Sequence, residues 1–184
     1  GSGKTPLLIQ LVKYLQERNV RVGVISRGYG GKGPFPAQVT RHSIPSEVGD
    51  EPCLIVQSTE VPMVVGSNRK ESIELLLKCH QLDLIISDDG LQHWALARQI
   101  EWIVLDQNRG LGNQKLLPEG FLRESVERLS EGTVIEHAQS STSPLNMYLE
   151  VAKPYLLNGS SDQAELFDMH QDFYAVVGIG FPQR

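Results

Sequence analysis

The sequence is poor in cysteine, with two in 184 residues, and poor in aromatic side chains, at 7%. Cys53 and Cys79 lie too far apart for a Cys-x-x-Cys metal or redox pair, and each falls in an apolar run. A disulfide scaffold is excluded, and a reduced, buried, cytosolic pair is the expectation. Long hydrophobic runs are also missing: the longest fall well short of the roughly 20 residues that a membrane-spanning helix needs. Nor is there an excess of positive charge. Lys and Arg number 17 against 22 Asp and Glu, a net charge of -5 with a pI near 5.5. That balance disfavours an extended nucleic-acid groove and leaves room for one local basic pocket. What remains is a globular composition, 40% hydrophobic and 21% charged. The length suits one domain of the usual roughly 100–200 residues, spanning 1–184, and no repeat is visible. The opening Gly1-Ser2-Gly3-Lys4-Thr5 has no strand ahead of it, and Gly178 to Arg184 directly follow a strand-like run. Both ends therefore read as cut from a longer protein.

Hydrophobic spacing alternates between helix and strand. Leu7, Leu8, Leu11, Val12 and Leu15 share one helical face, which ends at Arg18-Asn19. Val20 to Ile25 reads as a buried strand, and Gly28 to Pro34 as a loop. After Gly49-Asp50 a helix to about Ser58 is predicted, although Cys53-Leu54-Ile55-Val56 also fits a strand. Val61–Val65 is a short strand. Asn68 and Glu71 then have capping-box spacing, ahead of a helix with Ile73, Leu76 and Leu77 inward. Apolar strands follow at 82–86, 100–105, 133–135, 154–157 and 174–177, with a Ser/Thr loop between Gln139 and Pro144. Near-continuous apolar strands between helices predict an α/β fold with a mostly parallel sheet covered on both faces. Ligands of such sheets bind at the carboxyl ends of the strands, so the loops after Ile25, Ile86 and Leu105 matter most, with the opening one.

Gly3-Lys4-Thr5 matches the end of the phosphate loop G-x-x-x-x-G-K-[ST], with Gly1 and Ser2 inside the motif. Glycines let backbone N–H groups close round phosphate oxygens, and the following helix start adds positive potential. Lys4 would reach the β/γ-phosphates and Thr5 would hold Mg²⁺, while Pro6 suits a first helical turn. Asp88-Asp89-Gly90 ends an apolar strand. It reads either as a surface turn or as the acid that completes a Mg²⁺ site beside Thr5. Asp50-Glu51, ahead of Pro52, read either as acids matched to a helix dipole or as a general base for a substrate hydroxyl. Arg27 opens a glycine-rich loop, with Lys32 behind it, which reads either as a mould for an anionic substrate or as a flexible surface loop with solvated charges. Arg123, Glu124 and Arg128 lie on a short helix-like stretch where a solvated face is the default. Of five histidines, His93 follows the acid turn closely. His42, His80, His137 and His170 lack metal-ligand spacing and read as structural or exposed.

Several segments together resemble one family, the tetraacyldisaccharide 4'-kinases of lipid A biosynthesis. They are Gly3-Lys4-Thr5-Pro6, Ser26-Arg27-Gly28-Tyr29-Gly30-Gly31, Gly49-Asp50-Glu51-Pro52, Asp88-Asp89-Gly90-Leu91-Gln92-His93 and Leu117-Pro118-Glu119-Gly120 with Leu122-Arg123-Glu124. The likeness is dense over about 1–135 and looser beyond. It implies a P-loop NTPase-like three-layer sandwich that transfers the ATP γ-phosphate to the 4'-hydroxyl of a tetraacylated glucosamine disaccharide 1-phosphate. It further implies Mg²⁺ as cofactor and a peripheral position on the cytoplasmic face of the bacterial inner membrane. Gly1, Ser2, Gly3, Lys4 and Thr5 would bind nucleotide, and Thr5, Asp88 and Asp89 the metal. Lys4 and Asp50 would be catalytic, with Asp50 the base. Arg27, Gly28, Tyr29, Glu51, Gln92, His93, Arg123 and Glu124 would line the substrate. A His assisting the base would lie beyond Arg184, and Glu136-His137 stand where the family usually places an Asn.

Two other readings fit the phosphate-loop motif. One is another P-loop enzyme of cofactor biosynthesis; its GTP-using form is weakened by the lack of an Asn-Lys-x-Asp segment. The other is a nucleotide-binding module without turnover.

Overall fold

The computed structural model describes residues 2–150. The chain alternates helix and strand as its spacing predicts. Helix α1 spans Lys4–Gln16, α2 Pro45–Val48, α3 Asp50–Thr59 and α4 Arg69–Cys79. The strands are β1 Val22–Ser26, β2 Ala37–Val39, β3 Met63–Val65, β4 Leu84–Ser87, β5 Trp102–Asp106, β6 Thr133–His137 and β7 Asn146–Met147. A 3₁₀ turn occupies Val126–Ser130. The strands predicted at 154–157 and 174–177 lie outside the described residues.

The described strands form two sheets where one was expected, in the orders β2-β3-β1-β4 and β5-β6-β7. Parallel pairing joins β1 to β3, β1 to β4, β5 to β6 and β6 to β7; β2 runs antiparallel to β3. This is an α/β fold with mostly parallel sheets. Strand alternation sends neighbouring residues of β1 and β3 to opposite faces. Val22, Val24, Met63 and Val65 join Leu8, Val12, Cys53, Ile55 and Val56 beneath α1 and α3. Ile25 and Val64 meet Leu76 of α4 on the other face. Two apolar layers on one sheet require every residue of β1 to be buried, and all five are. Truncating so enclosed a residue as Leu76 to Ala costs roughly 2–5 kcal/mol.

Local chemistry sets the helix boundaries. The 53–56 segment is helical because Gly49, at φ 98 and ψ 155, turns the chain, and Asp50 and Glu51 then complement the helix dipole. An added Cβ on Gly49 would stand 2.6 Å from the Tyr29 carbonyl oxygen, so the glycine also lets α3 begin against the glycine-rich loop. Asn68 caps α4, its side-chain oxygen accepting from the N–H groups of Lys70 and Glu71. Two expectations fail on this helix. Leu77 is 51% exposed and points to water, its predicted inward place being taken by Leu75. Cys79, in the last turn, is exposed and not buried; Cys53 is buried, and both thiols are free.

Candidate active site

The start of α1 meets the turn after β4, through Lys4 and Asp89, and the end of β6, through Ser2 and His137. Gly3, the N-cap of that helix, has φ 92, and a Cβ there would lie 3.0 Å from Met147 Cε and 3.1 Å from His137 Nδ1. Only glycine combines that left-handed turn with so close an approach. The carbonyl of Ser2 lies 3.0 Å from His137 Nδ1, which ties the phosphate loop to the end of β6. His137 thus takes the structural one of its two expected roles: it braces the segment bearing Lys4. Thr5 follows, half-buried, in the first turn of α1. Gly1 lies outside the described residues.

The acid turn meets this loop. Asp88 directly follows β4 as a buried carboxylate; its N–H donates to the Ile25 carbonyl and its Oδ2 accepts from the Ser26 hydroxyl at 3.4 Å. Asp89 adopts φ 48, a left-handed conformation that Asp tolerates better than most residues, and its carboxylate pairs with the Lys4 ammonium. Arg123 approaches the other oxygen of Asp89 at 3.7 Å. The two acids differ in charge behaviour. Burial pushes the Asp88 carboxyl up, Glu51 and Asp89 push it further, and Lys4 and Ser26 only partly offset them. Burial alone would raise Asp89 too, but the Lys4 hydrogen bond and charge, with Arg123 and Arg69 behind them, hold it below the usual carboxylate range.

Such a turn fits a divalent cation. The like charges of Glu51, on α3, and of Asp89 both act on the buried Asp88 carboxylate. A magnesium ion carried by a nucleotide needs only one or two protein oxygens, its other positions going to phosphate and water. No cluster of three or more His, Cys, Asp or Glu able to hold a metal alone occurs among the described residues. Thr5, Asp88 and Asp89 remain the oxygens on offer.

Beside Asp89 opens a cavity of about 380 Å³. Its walls include Arg27, Gln92, His93 and Arg123, all singled out from the sequence, and also Ser67 and Arg69, which are not. Arg69 is 4% exposed and donates to the carbonyls of Gly66 at 2.9 Å and Asp88 at 3.4 Å. It bolts the end of β3 to the end of β4. The strand-end rule, applied to the loop after β3 as well, finds it.

Other predicted residues sit differently. Gly28 is buried at φ 76 under the loop, while Tyr29 is 85% exposed, and neither walls the cavity. Glu124 lines a smaller apolar hollow of about 160 Å³ that shares Gln92 and Arg123 with the first. Asp50 is exposed at the start of α3, and the group it perturbs is the Cys53 thiol, pushed up by burial and then by Asp50. Its neighbour Glu51 is the α3 carboxylate felt by Asp88.

A lysine at the start of α1 against a strand-end acid pair, with a cavity walled by arginines alongside, makes up the candidate site. Comparison with known proteins places the chain in a family. Residues 1–184 match the family described as tetraacyldisaccharide-1-P 4'-kinase. The chain belongs to this family. Among curated relatives of that name, the protein of Psychrobacter cryohalolentis is 46% identical over 207 residues, covering 100% of this chain and 56% of its own length. That of Actinobacillus pleuropneumoniae serotype 5b is 47% identical over 187 residues, with 100% and 57% covered. A crystal structure of LpxK from Aquifex aeolicus, described as an "apo" form in complex with ATP, is similar with a TM-score of 0.66 at 30% identity. The likeness covers 74% of this chain and 44% of that one. The chain spans about half the length of the curated relatives it matches. Membership in the 4'-kinase family confirms the P-loop fold and displaces the cofactor-biosynthesis reading.

Proposed function

We propose that the protein of which this chain forms part transfers the γ-phosphate of ATP to the 4'-hydroxyl of a tetraacylated glucosamine disaccharide 1-phosphate. The observation that carries this reading is the meeting of Lys4 with Asp89, next to buried Asp88, at the mouth of a cavity walled by Arg27 and Arg123. Family membership supplies the substrate class. Chemistry of this type is mostly positioning and charge neutralisation, which an ammonium, a helix start and strand-end acids provide.

In this reading the phosphate loop and Lys4 hold the triphosphate, and Lys4 exchanges Asp89 for phosphate oxygens when nucleotide enters. Thr5, Asp88 and Asp89 would hold Mg²⁺, which would supply neutralisation of the phosphate charge. The acceptor hydroxyl enters from the cavity side past Gln92 and His93, with Arg27 and Arg123 attracting its anionic substrate. Asp50 takes the hydroxyl proton as the new oxygen–phosphorus bond forms and the bond to ADP breaks. Asp50 follows Gly49, which packs against the backbone of Gly28 and Tyr29 in the loop that Arg27 opens. Glu51, one residue on, sets the charge around Asp88, and Glu124 shapes the adjoining apolar hollow.

The substrate is a lipid, and the segment before Arg123 offers a surface for it. Leu116, Leu117 and Phe121 are 48%, 62% and 37% exposed, and the Arg109 guanidinium stacks 4.5 Å from the Phe121 ring centre. Apolar tips beside cations suit peripheral contact with an anionic bilayer, on the cytoplasmic side of the inner membrane. No helix of the described residues is long and apolar enough to cross a membrane. The test is ADP formation by the full-length protein with Mg-ATP, with and without the disaccharide lipid. Lipid-dependent ADP supports the reading; ADP release indifferent to the lipid contradicts it.

A further inference from the structure

The loop that follows the acid turn is held from beneath by a residue outside every motif considered so far. Arg98 sends one terminal nitrogen to the carbonyls of Gly90 at 3.0 Å and His93 at 3.2 Å, and the other to that of Leu91 at 3.2 Å. One planar guanidinium thus ties three of the four residues that carry Gln92 and His93 into the cavity. A lysine, with a single charged nitrogen, cannot span such a fork.

Arg98 is itself fixed. Its Nε pairs with Glu101 just before β5, and the other oxygen of Glu101 pairs with Arg128. The side chains of Arg98, Glu101 and Arg128 are only 21%, 15% and 9% exposed. Arg128 belongs to the 3₁₀ turn immediately after Arg123 and Glu124. It also donates to Glu131 at 2.8 Å. Both guanidiniums lie over the Trp94 ring, at 6.0 Å for Arg98 and 5.4 Å for Arg128. Ion pairs this enclosed contribute little net stability, because desolvation opposes the attraction, so their geometry is the more informative property.

We infer that Arg98, Glu101 and Arg128 form a positioning relay that sets the distance between the two walls of the acceptor cavity, the 90–93 loop and the 122–125 segment. Glu101 is the joint, since its two carboxylate oxygens pair with one arginine each, while the Trp94 ring lies against both guanidiniums. None of the three lines the 380 Å³ cavity, so each acts through the residues it holds. The relay governs how Gln92 and His93 face Arg123, and leaves the phosphate loop to its separate brace at His137.

The kinetic arm of the test rests on the phosphoryl-transfer reading; a second arm does not. In the full-length protein, Arg98→Ala, Arg98→Lys and Glu101→Gln are compared with wild type. Amide hydrogen exchange should quicken in 90–96 in all three and leave α1 and α3 as slow as in wild type. For the lipid acceptor kcat/KM should fall about tenfold or more in Arg98→Ala, given that a misplacement near 1 Å costs about 10²-fold. KM for ATP should stay within about twofold, and Arg98→Lys should fall between Ala and wild type. Combining Arg98→Ala with Glu101→Gln should add little, as members of one relay are not additive. Unchanged exchange in 90–96 overturns the relay. So does a fall in kcat with both KM values unchanged, the mark of partial unfolding. If Arg98→Ala does not fold, Arg98→Lys and Glu101→Gln decide by the same readouts. Absence of lipid phosphorylation by wild type sinks the proposed function, while the exchange result still decides the relay.

Discussion

Lys4 and Asp89, 85 positions apart, share an ion pair. The pair is half exposed, so its contribution to stability is small. Its consequence is positional: the ammonium is parked one residue from Asp88, where a γ-phosphate would draw it away. Lys4→Ala in the full-length protein should abolish turnover, by about 10²-fold or more, with little change in melting midpoint. Steady-state kinetics and a thermal melt check both halves, and near-normal kcat would remove Lys4 from the chemistry.

Asp88 links function to a stability cost. Its folded-state pKa is raised, chiefly by burial and then by Glu51 and Asp89, so its ionised form is disfavoured in the native protein. That penalty is absent below the unfolded carboxylate pKa of roughly 3.9 and fully present above the raised value. Asp88→Asn should therefore melt higher than wild type at neutral pH, by about 2–4 °C per kcal/mol relieved. The gain should vanish on acidification, and activity should be lost. Melting both proteins across pH 4–8 tests this. A lower midpoint for the variant at neutral pH would contradict it.

The two α3 acids are separable. Asp50→Ala should lower kcat strongly and leave ATP affinity nearly unchanged, as expected of a base. Glu51→Gln removes a charge that raises the Asp88 pKa, so Mg²⁺ activation should persist to lower pH than in wild type. Magnesium titrations at several pH values read the second effect. If Asp50→Ala keeps full kcat, that residue serves only the helix dipole.

Gly3→Ala should be costly out of proportion to one methyl group. The added Cβ meets Met147 and His137 at about 3 Å, and φ 92 strains any L-residue. We expect a loss of about 1 kcal/mol or more in stability together with weaker ATP binding. Calorimetry of ATP binding gives the answer, and unaltered affinity would show that this turn does not shape the phosphate site.

Much of this arrangement can be read from sequence because its signals are local. The apolar spacing of α1, the Asn68 cap and the unbroken apolar run of β1 each declare themselves within a few residues. Helix α3 is ambiguous in its apolar run and is resolved only by Gly49 and the two acids ahead of it. Strand β2 has three residues, Ala37-Gln38-Val39, too few to show alternation. Leu77 is misjudged because the packed face of α4 is turned toward Leu75: Ile73, Leu75 and Leu76 pack inward and Leu77 falls outside it. The site divides in the same way. Lys4, Thr5, Asp88 and Asp89 stand in motifs, whereas Arg69, Arg98 and His137 work through backbone carbonyls that chain folding, not a motif, brings to them. No spacing rule reports such partners.

The most direct test is transfer of label from γ-³²P-ATP to the tetraacylated disaccharide 1-phosphate by the full-length protein, beside Lys4→Ala and Asp88→Ala. The account expects label on the 4'-oxygen with wild type and none above background with either variant. Wild type that leaves the lipid unlabelled, or a variant that labels it at near-normal rate, would contradict it.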